Sequence, residues 1–113
     1  MEDEPFDREL LKGSIGLLIL RLLSSRDMYG YEIILEASRR SDDVFRFKEG
    51  TLYPALHHLE RQGYLRSYWQ TGQNNRRRKY YGLTASGRRL AERRHREWLH
   101  FTRAINAVLA EES

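Results

Sequence analysis

A chain of 113 residues with no cysteine and a formal net charge of +4 is most simply one domain with a modest core. It excludes disulfides, thiolate metal centres and a cysteine nucleophile. The longest apolar run, residues 15–23, is broken by Arg21 and is too short for a bilayer span. The start carries Glu2, Asp3, Glu4 and Asp7, the reverse of a positively charged leader, so a soluble cytoplasmic protein is expected.

Residues 1–8 read as a loose acidic tail. From Leu10 to Leu23 nearly every position is apolar, which predicts a helix covered on more than one side, in part by a second chain. Ser24 to Asp27 interrupt it. Helical spacing resumes from Met28 to Arg40, with Ile33, Ile34 and Ala37 on one face and Tyr29-Gly30-Tyr31 as a tight start. Asp42-Asp43 marks a loop, and Val44 to Phe47 suits a brief extended segment.

A third helix is expected from Gly50 or Thr51 to Gly63. Leu52, Ala55, Leu56 and Leu59 form its apolar face, while Tyr53, His57 and Arg61 point the other way. Pro54 favours a start close by, because proline fits a helix's first turn, and Gly63 suits a left-handed stop. Next, Tyr64 to Gln70 alternates, Thr71 to Asn75 has turn composition, and Arg78 to Leu83 returns as a strand. Three helices followed by a hairpin is the order of a winged helix-turn-helix. Thr84 is the expected N-cap of a last helix at about 85–110. Along it Ala91, Trp98, Phe101, Ile105 and Val108 follow heptad spacing interrupted by Arg94. Such a seam predicts a homodimer, or alternatively a helix folded back on its own domain.

Charge sharpens the picture. Residues 1–63 hold 9 bases against 12 acids, whereas residues 64–100 hold 10 against 2. The positive potential thus follows directly after the third helix, where a polyanion can use it. A helix with a polar face beside the basic run Arg76-Arg77-Arg78-Lys79 suggests a nucleic-acid groove as the target. The competing class is a winged-helix module that binds protein and not DNA; it calls for a neutral wing and an apolar third helix. Nothing has the spacing of a catalytic or metal site. His57 and His58 are adjacent and face different ways, and His95 and His100 are a poor ligand pair. Neither catalysis nor a cofactor is expected.

Residues 50–65, Gly-Thr-Leu-Tyr-Pro-Ala-Leu-His-His-Leu-Glu-Arg-Gln-Gly-Tyr-Leu, resemble the signature of PadR-type transcriptional regulators. So do Arg77 to Gly87 for the wing and Tyr29 to Ile33 for the second helix. The resemblance covers residues 10 to about 110, with both longer motifs in the family's order. It implies a mainly α (α+β) fold: a winged helix-turn-helix with a two-stranded β-wing over 9–84, and a C-terminal dimerisation helix over 85–113, as in the small subclass. It further implies a homodimeric repressor bound to a palindromic operator in double-stranded DNA. On this reading Thr51, Tyr53 and His57 reach base edges or phosphates and Lys48 the backbone. Arg76, Arg77, Arg78 and Lys79 grip phosphates or the minor groove, with about half of them facing DNA by strand alternation. For Tyr53 the alternative is core packing beside the first helix. Ala91, Trp98, Phe101, Ile105 and Val108 would join the protomers. Some small PadR-like regulators carry a tryptophan at the position of Trp98, in a cavity between protomers that takes planar hydrophobic compounds. Trp98, Phe101, Ile15 and Leu18 are the candidates here for a small aromatic effector; the alternative is an interface anchor without a ligand.

Overall fold

The computed structural model describes residues 8–110, with side chains from residue 13 onward. The acidic tail before Arg8, and the side chains of Leu10 and Leu11, lie outside the described residues. The elements run α1 (Arg8–Ser25), β1 (Met28–Tyr29), α2 (Gly30–Arg40), α3 (Glu49–Arg61), β2 (Leu65–Thr71), β3 (Arg77–Leu83) and α4 (Ala85–Leu109).

Helix α1 is central. Its apolar residues are spread around the axis, and it packs against α2, α3, α4 and β3. Ile15, Ile19, Leu20, Leu22 and Leu23 are all buried. At its C-terminal end the Ser24 and Ser25 hydroxyls donate back to the carbonyls of Leu20 and Leu22, both at 2.8 Å, local bonds that compete with helix continuation. Met28 and Tyr29 do not begin the second helix as their spacing suggested. They form a third strand, pairing antiparallel with Tyr81 and Tyr80 to give the order β1-β3-β2. Full burial of Met28 holds this strand against the sheet, and α2 starts one residue later at Gly30. There the Tyr29 N–H donates to the Glu32 carboxylate at 3.3 Å, occupying an end group that the helix itself cannot pair.

Between α2 and α3 the chain turns through Asp42 and Asp43, with φ of 56° and 66°. Val44 to Phe47 is irregular rather than a strand; among the described residues no strand pairs with it, and Phe47 is buried as an anchor. Helix α3 starts at Glu49, earlier than Pro54 suggested, so the proline falls in the second turn. The cost is the missing bond to the Gly50 carbonyl, and exposed Gly50 leaves that carbonyl to water. Leu52, Leu56 and Leu59 make the buried face. Gly63, at φ 85°, ends the helix, and the Tyr64 N–H closes on the Leu59 carbonyl at 3.0 Å.

The hairpin pairs in one unbroken register from Leu65 opposite Leu83 to Thr71 opposite Arg77. At its tip Gly72 N–H donates to the Arg76 carbonyl at 2.8 Å. Asn74 and Asn75 take left-handed conformations, φ 65° and 57°, which asparagine tolerates better than most residues. At the foot of the hairpin one knot joins three elements. Thr84 Oγ1 accepts from Gly87 N–H at 3.0 Å and donates to the Gly63 carbonyl at 2.7 Å, while Thr84 N–H donates to the Tyr64 carbonyl at 3.1 Å. Gly87, Leu90 and Ala91 of α4 are buried in the core; beyond Ala91 the helix is largely exposed.

Candidate nucleic-acid interface

Helix α3 and the wing enclose an open cleft of about 390 Å³, closed at one end by the start of α2. Its walls are aromatic and its rim is cationic. Tyr53 stands half-buried on α3, and its ring lies over Gly30 so closely that a β-carbon there would overlap the hydroxyl. Burial first, and the Glu49 carboxylate second, push the Tyr53 phenol above its ordinary pKa. Tyr53 therefore packs, but against the start of α2 as well as the core, while one side still faces the cleft. His57 is exposed one turn further on, its ring 6.4 Å from that of Tyr53. Thr51 is half-buried in the first turn. Exposed Lys48 caps α3 through its backbone, its carbonyl accepting from the N–H groups of Thr51 at 3.0 Å and Leu52 at 2.9 Å.

Opposite α3, strand alternation does not separate the bases as simply as their sequence suggested. Because β1 is two residues long, β3 has no partner on that edge beyond Tyr80. Side chains from both faces of β3 wrap the free edge, and Arg77, Arg78 and Lys79 all line the cleft. Each lies over an aromatic ring: Arg77 over Trp69 at 4.8 Å, Arg78 over Tyr29 at 4.5 Å, Lys79 over Tyr81 at 5.7 Å. Such contacts orient a cation at about 0.5–1 kcal/mol without neutralising it. Among the described residues no carboxylate lies within ion-pair distance of Arg76, Arg77, Arg78 or Lys79. Arg76 is exposed at the hairpin tip, outside the cleft.

A second cluster sets the angle of the wing. One oxygen of Asp27, just before β1, accepts from Tyr68 at 2.7 Å and from Arg66 at 3.2 Å, both on β2. Asp27 also packs on Gly82, where a β-carbon would strike its carboxylate. Tyr68 stacks on Tyr80 at 5.8 Å, and Tyr80 meets Tyr29 edge-on at 5.4 Å. The bond to Asp27 is the main reason the Tyr68 phenol is held above its usual range. Neither this cluster nor the cleft positions of Tyr29, Tyr31 and Trp69 were singled out from sequence. The hairpin register was the available signal for Trp69, since it sets the ring opposite Lys79 and diagonal to Arg77.

The residues of the expected seam divide. Ala91 and Ile15 belong to the protomer's own core, each below one-tenth exposed, and Leu18 is half-buried against it. Trp98, Phe101, Ile105 and Val108 lie on the outer part of α4, from 39% to 83% exposed. Trp98 and Phe101 stand together with ring centroids 6.0 Å apart. No helix among the described residues is long and apolar enough to cross a membrane.

Known proteins share both the sequence and this architecture. The profile described as the transcriptional regulator PadR-like family matches residues 19–93. The transcriptional regulator Rv3488 of Mycobacterium tuberculosis is 36% identical over 81 residues, 72% of each chain. A solved transcriptional regulator from Clostridium thermocellum superposes with a TM-score of 0.81 at 33% identity, covering 93% of this chain and 99% of that one. A PadR family regulator from Clostridium difficile gives 0.74 at 37% identity, covering 87% and 100%. Among the described residues four helices, the last of them long, and a three-stranded antiparallel sheet complete the agreement, and the chain belongs to the PadR family of transcriptional regulators, which are not enzymes.

Proposed function

We propose that the protein is a dimeric repressor that binds a palindromic operator in the cytoplasm, using residues 9–84 as its DNA-binding unit and 85–113 as its dimerisation helix. The observation that carries this reading is the un-neutralised trio Arg77, Arg78 and Lys79 on the free edge of β3, facing His57 and Tyr53 across one cleft. Helix α3 enters the major groove N-terminal end first. Thr51, Tyr53 and His57 contact base edges or the nearest phosphates, Lys48 contacts the backbone, and the wing grips the adjoining phosphates with Arg76 to Lys79. The protein-binding alternative calls for a neutral wing and an apolar third helix, and the cations of β3 with the polar Tyr53 and His57 oppose it, so DNA is the better-supported partner.

Dimerisation follows from the outer part of α4. Trp98, Phe101, Ile105 and Val108 expose a row of large apolar groups that water penalises and a second copy can cover. Replacing Ile105 and Val108 with glutamate should yield monomers in sedimentation and weaken operator binding by about 10²-fold or more, because two linked half-sites become one. Persistence of the dimer would refute the assignment of the interface. The paired Trp98 and Phe101 rings supply a stacking surface for a planar hydrophobic effector between protomers, joined by half-buried Leu18 from α1, while Ile15 stays in the protomer's own core. In a Trp69→Phe background, titration with a planar aromatic compound that does not itself bind DNA should quench Trp98 emission and lower operator affinity together; an unchanged spectrum would leave Trp98 as an interface anchor alone. A ligand that favours one separation of the two α3 helices must weaken DNA binding by the same coupling energy if DNA needs another.

A further inference from the structure

The arginines of α4 are not spread evenly. Between Ala85 and Leu109 the helix carries six arginines against two glutamates. Arg89, Arg93, Arg96, His100 and Arg103 follow at steps of four, three, four and three. At about 100° and 1.5 Å per residue they make one stripe roughly 21 Å long, centred roughly 150° around the helix from the Trp98, Phe101, Ile105 and Val108 row. All five are exposed. Among the described residues Arg89, Arg96 and Arg103 have no carboxylate within ion-pair distance, and Arg93 meets Glu97 only at 3.9 Å.

Like charges at these spacings destabilise a helix, so the fold gains nothing by collecting them. A polyanion does. Duplex DNA carries one negative charge per about 1.7 Å of axis, about a dozen along the length of this stripe, and arginine pairs with phosphate in a two-pronged geometry. The stripe is separate from the cleft, since no residue of α4 lines the cleft and α4 begins beyond the foot of the wing. We propose that this face of α4 holds a second stretch of double-stranded DNA by its phosphates, without reading sequence. The proposal rests on the operator-binding reading, because DNA flanking or folded back to an operator is the polyanion present at high local concentration.

The test uses the full-length protein tethered to a surface, saturated with a short operator duplex and then offered a fluorescent duplex of random sequence. Wild type should capture the second duplex. The variant with Arg89, Arg93, Arg96 and Arg103 all changed to glutamine should capture it at least tenfold less well, with a flatter salt dependence, while operator affinity stays within twofold. Equal capture by both proteins would overturn the proposal, as would no capture by wild type. Equal losses at both steps would place the stripe on the operator face and also overturn it, as would preference for single-stranded RNA or a polyglutamate peptide over the duplex. Failure of wild type to bind any operator would instead defeat the operator reading, and random-duplex capture compared between a protein with Arg77 and Arg78 changed to alanine and the same protein also carrying the four glutamines would still report on the stripe.

Discussion

Changing Arg77 and Arg78 to alanine should weaken operator binding about a thousandfold. On the proposed interface the two residues supply four phosphate contacts per dimer, and at about 1 kcal/mol each their loss amounts to about 4 kcal/mol. The loss should fall equally on operator and random DNA, because the contacts are to the backbone. The slope of log affinity against log salt should become shallower by about 3–4, at roughly 0.9 per phosphate. Gel shifts at several salt concentrations measure both quantities. The protein itself should fold normally, since Arg77 is exposed and each side chain's aromatic contact is worth about 1 kcal/mol at most. Unchanged affinity and slope would remove the wing from the interface. A loss confined to the operator would mean that these arginines read bases.

Changing Gly87 to alanine should cause the largest loss of stability. A β-carbon at this position would overlap the backbone carbonyl of Tyr64, which cannot swing aside as a side chain can. Helix α4 would have to lift away from the sheet. The bonds from Gly87 N–H to Thr84 Oγ1 and from Thr84 N–H to the Tyr64 carbonyl would stretch with it. Overpacking of about 1–3 kcal/mol plus two bonds of about 1 kcal/mol each gives about 3–5 kcal/mol, a large share of a small domain's stability. The midpoint of thermal unfolding should fall by on the order of 15 °C. The same change at Gly13, an exposed position in α1 with open space around it, should stabilise by about 0.5–1 kcal/mol. Calorimetry on the two variants separates them by sign, and a stable Gly87→Ala protein would mean that α4 does not seat as described.

What the sequence revealed followed from the range of the forces involved. Helix α3 was legible because Leu52, Leu56 and Leu59 repeat at local spacing and Gly63 carries its own stop signal. The hairpin was legible for the same reason. Strand β1 was hidden, since two residues have no periodicity and Met28 and Tyr29 become a strand only by pairing with Tyr81 and Tyr80 far along the chain. Seam and core were confused at Ala91 and Ile15, because an apolar residue answers equally to its own core or to a neighbour's surface. The cation cluster at the cleft depended on the free edge of β3, a property of strand order that no local pattern encodes. Tyr53 kept both of its readings: it packs on Gly30 and still borders the cleft.

The knot at Thr84 has a mechanical meaning. Gly63 ends α3, Ala85 begins α4, and the Thr84 hydroxyl bonds both the Gly63 carbonyl and the first turn of α4; Ser86 Oγ adds a further bond to the same carbonyl at 3.1 Å. The two ends of the hairpin meet at this point, so α3 and α4 are joined directly by these hydrogen bonds and not only through nineteen residues of strand and turn. In a dimer built on α4, the pair of protomers then behaves as callipers. The angle at which the long helices cross is the setting, and the distance between the two α3 helices is the gap it fixes.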